Sequence, residues 1–146
     1  MILKLSPDQV SERWESLKVA IEKSLPPFLK DGPIKMENIL EAIVKDIMHC
    51  WVIEDDEGLA AIATTTFMPD PGTQLISLFI YTITSLRPVD INEWQENFKV
   101  FAKWGRSRGC SNVIAFTDVD RIVEIAKSLG GTANQVVVTL PIDGGE

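Results

Sequence analysis

Phe101-Ala102-Lys103-Trp104-Gly105-Arg106-Ser107-Arg108-Gly109-Cys110-Ser111-Asn112-Val113-Ile114-Ala115-Phe116-Thr117 runs from the end of a helix through a glycine turn into a strand. Its first half continues a face formed by Trp94, Phe98, Phe101 and Gly105, residues spaced as neighbouring turns of one helix. Gly109 lies just beyond the last turn, where a glycine takes the left-handed geometry that closes a helix. Val113–Phe116 then reads as a compact buried strand. At the other end of the helix, after Pro88, Asp90 can cap it, with Glu93 three residues on.

Working outward, Arg121–Leu129 is a short helix closed by Gly130-Gly131. Val136–Leu140 is predicted as a last strand stopped by Pro141, and Asp143–Glu146 as a frayed tail. Upstream, Cys50–Glu54, Leu59–Met68 and Leu75–Thr84 read as strands of an antiparallel meander. The turns between them are Asp55-Asp56-Glu57-Gly58 and Pro69-Asp70-Pro71-Gly72. Ile2–Leu5 makes a short first strand. Ser6-Pro7-Asp8-Gln9 opens a helix whose stripe is Val10, Trp14, Leu17, Ile21 and Leu25, ended by Pro26-Pro27. A second helix opens after Asp31-Gly32-Pro33 and carries Met36, Ile39, Leu40, Ile43 and Ile47 on one face. The order β-α-α-β-β-β-α-β-α-β predicts one α/β (α+β) domain over residues 1–146. Its central sheet is mixed and mostly antiparallel, with helices on both faces.

The net charge of −7 carries no basic stripe, which argues against a nucleic-acid partner. No apolar run reaches the ~20 residues that span a bilayer. Met1-Ile2-Leu3-Lys4 turns polar too soon for a secretory signal, so a cytoplasmic protein without membrane contact is expected. Cys50 and Cys110 lack metal-ligand spacing and read as small buried hydrophobes, so no metal site is assigned.

The 101–117 stretch resembles the central helix and following strand of the Gcn5-related N-acetyltransferases (GNAT). Members commonly carry an aromatic or alanine face, a basic Arg-x-x-Gly-Cys end and a β-branched strand there. Arg121-Ile122-Val123-Glu124-Ile125-Ala126-Lys127-Ser128-Leu129-Gly130-Gly131 resembles the family's next helix. The order of elements matches over most of the chain; the sequence pattern matches over residues 75–131. The resemblance implies a GNAT-like fold in which the third meander strand splays from its parallel neighbour. The pantetheine arm of acetyl-CoA would lie between Leu78–Thr84 and Val113–Thr117. On that basis Ile80, Tyr81, Thr82, Arg87 and Asn92 are the candidate cofactor-cleft residues.

Two family parts are missing. The glycine loop that cradles the cofactor's pyrophosphate should fall on Val89-Asp90-Ile91-Asn92-Glu93-Trp94, which has no glycine and two carboxylates. Carboxylates cap a helix well but repel a diphosphate. Arg87 nearby could bind an anion, though a lone arginine before a proline is more often a solvated surface residue. The family's tyrosine acid maps to Ala126, which has no proton to give. No carboxylate lies in residues 59–67 or 74–84 to serve as a base, and Tyr81 is expected to pack in the sheet. Ser128 falls on another helix face, and His49, the sole histidine, reads as a capping or edge residue. No catalytic residue is therefore assigned.

These absences imply a catalytically degenerate GNAT-fold module for binding or structure, without cofactor. Leu25-Pro26-Pro27, Met36–Ala42 and Cys50-Trp51 also resemble small GNAT-like proteins encoded among bacteriophage virion genes. That resemblance implies a protein partner or self-assembly, such as with phage structural proteins. The alternative is an acetyl-CoA-dependent N-acetyltransferase with an atypical cofactor loop, working by positioning. A third reading is a sensor of another anionic or apolar small molecule in the same cleft.

Overall fold

Strand β1 (Leu3–Leu5) leads into Ser6, whose capping box is formed as its sequence predicts. The Ser6 Oγ accepts the Gln9 N–H at 3.2 Å, and Gln9 Oε1 accepts the Ser6 N–H at 2.8 Å. The computed structural model describes residues 1–25, 36–117 and 119–142. The helix from Ser6 is not continuous. It breaks at Arg13 into α1 (Pro7–Glu12) and α2 (Trp14–Lys23). The Arg13 guanidinium donates to both carboxylate oxygens of Glu54, at 2.8 and 2.6 Å. The apolar stripe survives the break: Val10, Leu17, Ile21 and Leu25 are buried, and Trp14 packs against them. The expected stop at Pro26-Pro27, start at Asp31-Gly32-Pro33 and tail at Asp143–Glu146 lie outside the described residues.

Helix α3 (Met36–Val44) buries Ile39 and Ile43. Ile47, expected on the same face, is exposed. The helix has already ended, and Asp46 takes a left-handed backbone (φ 59°) that turns the chain away. Strands β2 (Met48–Asp55), β3 (Gly58–Pro69) and β4 (Ile76–Ser85) then form the expected antiparallel meander. β1 joins the outer edge of β2, also antiparallel.

Asp90 caps α4 (Ile91–Ser107), accepting the Asn92 N–H at 2.7 Å. Gly109 follows the helix with φ 85°, as expected of its terminator. Gly105 sets how closely α4 approaches the sheet: a Cβ there would stand 3.4 Å from Leu78 Cδ2. The crossover brings β5 (Asn112–Ala115) beside β4 in parallel, and α5 (Asp120–Ser128) follows. The sheet order is β1-β2-β3-β4-β5.

Trp51, Ala63, Leu78 and Ile80 on one sheet face pack with Trp94 and Phe101 of α4 and Ile125 of α5. Cys50, Val52 and Ile62 on the other face pack with Val10, Leu17, Ile21 and Ile43 of α1–α3. The expected α/β class, mostly antiparallel sheet and helices on both faces are all present.

The last expected strand is not. Residues 132–142 have no regular structure, and Val136, Val138, Leu140 and Ile142 are 76–97% exposed. A β-branched run becomes a strand only when its backbone finds a ladder partner, and here it finds none. β5 is accordingly an edge strand, and its residues are half-buried or exposed rather than fully buried as expected.

Candidate functional site

The parallel pairing of β4 and β5 is short. It runs from Ser77 opposite Asn112 to Ile80 opposite Ala115 and stops. β4 continues for five more residues, Tyr81–Ser85, with no strand on that side among the described residues. Open α/β sheets bind ligands in crevices outside the carboxyl ends of their parallel strands.

A bulge decides what faces this crevice. On β3, Thr64 and Thr65 are adjacent; on β4 they stand opposite Thr82 and Ile80, leaving Tyr81 as the extra residue. Ile80 therefore points toward α4, Tyr81 and Thr82 toward α1–α3, and Ile83 toward α4 again. The described residues enclose a cavity of about 130 Å³ there. Ile83, Thr84 and Ser85 line it from β4, with Trp94 and Phe98 from α4. Val119, Arg121, Ile122 and Ile125 close it from the α5 side.

None of the five candidate residues lines the cavity itself. Ile80 is buried at the point where the strands part, directly before the crevice. Tyr81 packs against the α1–α3 layer, edge-on to Phe79 at 6.1 Å, and burial raises its pKa. Thr82 is buried with its Oγ1 2.7 Å from that of Thr64. Arg87 is bound to the β2–β3 turn: it pairs with Asp55, donates to Glu57 at 2.7 Å and donates to the Gly58 carbonyl. Asn92 is exposed in the first turn of α4, its backbone N–H taken by Asp90.

The residues missed are the hydrophobic ones and Arg121. Trp94, Phe98, Ile122 and Ile125 were legible as helix faces turned inward, but not as cavity walls. Arg121 sat in the quoted helix without a role. Its Nη2 donates to the Val89 carbonyl at 2.5 Å, which places the guanidinium beside the start of α4.

Elsewhere the titratable groups are structural. His49 is neither cap nor edge but core, 3% exposed, 3.0 Å from Thr65 Oγ1 and edge-on to Trp104 at 4.7 Å. Burial, helped by the nearby Lys4 and Arg108 cations, lowers its pKa to about 4. Burial likewise pushes the Cys50 thiol up to about 12, leaving it no thiolate for chemistry. Ser128 donates to the Ile125 carbonyl and accepts from Gln95. No group of three metal-ligating side chains forms among the described residues, and no described helix is long and apolar enough to cross a membrane.

Solved structures with the same architecture are acetyltransferases. An aminoglycoside acetyltransferase, HMB0005, from an uncultured soil metagenomic sample matches at TM-score 0.71 and 12% identity, covering 97% of each chain. Glucosamine-6-phosphate N-acetyltransferase from Arabidopsis thaliana matches at 0.67 and 15%, covering 98% of each. A predicted acetyltransferase with acetyl-CoA from Clostridium acetobutylicum matches at 0.67 and 14%, covering 97% of this chain and 96% of that one.

This chain has the acetyltransferase fold.

No family model matches the sequence, and the comparison with curated proteins finds no match. At 12–15% identity the likeness is one of fold. The lining between β4 and α5 is apolar apart from Thr84, Ser85 and Arg121. The start of α4 does not fit a diphosphate cradle: the Asp90 carboxylate occupies the first-turn N–H of Asn92, and Glu93 adds a second charge.

Proposed function

We propose that this chain is an N-acyltransferase that accepts its acyl group from acetyl-CoA or a closely related thioester, with an atypical cofactor loop. The observation that carries this reading is the end of β5 at Ala115, opposite Ile80, beyond which β4 runs on along the Ile83–Ile125 cavity. The fold shared with acetyltransferases supports it.

The thioester supplies an activated carbonyl carbon and a thiolate leaving group. The chain's own residues contribute position. Trp94, Phe98, Ile122 and Ile125 give the cavity apolar walls. The edge of β4 past Ile80 carries backbone N–H groups without a β5 partner, suited to hold a developing oxyanion. Thr84 and Ser85 offer hydroxyls, and among the described residues the lining includes no carboxylate, histidine or tyrosine. The attacking amine must therefore arrive neutral, and its proton leaves to solvent rather than to a side chain. A rate that rises with pH through the acceptor amine's own pKa follows.

Thermal melting with acetyl-CoA tests the reading. A ligand at 100 times its Kd adds about 2.7 kcal/mol of stability, a shift of several degrees for a domain of this size. An unchanged melting temperature at millimolar acetyl-CoA would overturn it. The absence of a proton-transfer group in the lining favours a second reading, a module that binds in the same cleft without transferring the acyl group. Saturable acetyl-CoA binding with no product on any amine acceptor, read by mass spectrometry, would establish that instead. The expected virion role draws no support from the acetyltransferases named above.

A further inference from the structure

If the start of α4 repels phosphate, the cleft needs another way to hold a phosphorylated donor. We infer that Arg121 is that anchor, so that the donor's arm ends in a phosphate held by α5 rather than by a loop before α4. The inference rests on the thioester reading of the cleft and adds the group that selects the donor.

Three observations converge on Arg121. Among the described residues it is the one charged side chain in a lining otherwise made of apolar residues and two hydroxyls. Its Nη2 is fixed on the Val89 carbonyl, the residue directly before the Asp90 cap, so the guanidinium spans from the cavity to the start of α4. Among the described residues no carboxylate pairs with it, whereas Arg13 is taken by Glu54 and Arg87 by Asp55 and Glu57. A guanidinium carries five N–H donors in a planar fork matched to phosphate oxygens, and the Val89 bond uses one Nη. The remaining donors are free for a bidentate anion contact.

Calorimetric titration separates the parts. Wild type, Arg121→Ala and Arg121→Lys are each titrated with acetyl-CoA and with S-acetylpantetheine, which has the arm and thioester but no phosphate. Melting curves confirm that both variants are folded. Arg121→Ala should weaken acetyl-CoA by about 10- to 100-fold, the loss of hydrogen bonds to a charged group. S-acetylpantetheine should bind wild type and Arg121→Ala alike. Arg121→Lys keeps the charge without the fork and should fall between. Equal weakening of both thioesters, or of neither, would overturn the inference while leaving the cleft reading intact. Binding of neither thioester by wild type would overturn the cleft reading and this inference with it.

Discussion

Tyr81 shows how one residue can redirect a site. As the extra residue of a bulge it turns with Thr82 toward α1–α3, and so brings Ile83 rather than Thr82 into the crevice. The alternation of Leu75–Thr84 cannot reveal that, because a bulge is fixed by the register of the partner strand. The same holds for Arg87, a candidate anion-binder in isolation. In the fold the β2–β3 turn returns Asp55 and Glu57 to it. Arg87→Ala should therefore leave acetyl-CoA affinity unchanged in a titration and lower the urea midpoint only slightly, as solvent screens these pairs. His49 makes the pH prediction. Its pKa is about 4 in the fold against 6.5 ordinarily, so the unfolded chain binds the proton first as pH falls. Stability present above pH 6.5 should be lost toward pH 4, by up to ~1.4 kcal/mol per pH unit from this group. Urea midpoints at several pH values should fall less steeply in His49→Phe than in wild type; parallel slopes would contradict the assignment.

Among the elements, α4 was the most legible, because its cap, apolar face and glycine terminator are all local signals. The break at Arg13 was hidden: the stripe from Val10 to Leu25 runs through it, and the Glu54 partner is 41 residues away. The last strand failed for the opposite reason. Val136–Leu140 has strand composition, but a strand also needs a neighbour, which composition does not specify. Asp90 allows a test at this scale. Asp90→Ala removes the bond to the Asn92 N–H and should cost about 1 kcal/mol in chemical denaturation. Its acetyl-CoA affinity should hold or improve, since a repelling carboxylate leaves the mouth of the cleft. A marked loss of affinity would mean that Asp90 serves the ligand.

At the scale of the molecule, two packed layers hold β4 from opposite sides while β5 holds it along only four residues. The rigid side and the open side are thus parts of one strand. Phe101, fully buried and edge-on to Trp51 at 5.1 Å, joins α4 to that rigid side. Phe101→Ala should cost 3–5 kcal/mol, about what large-to-small changes in cores cost, and lower the urea midpoint accordingly. The expected fold class followed from the order of elements. What the order could not give was the cavity, which arises where a bulge, a short pairing and two helix faces meet. The amide NMR spectrum with and without acetyl-CoA tests that cleft most directly. Tyr81–Ser85, the Trp94 indole N–H and Val119–Ile125 should shift on titration, while α1–α3 stays still. An unchanged spectrum, or shifts confined to the α1–α3 layer, would contradict it.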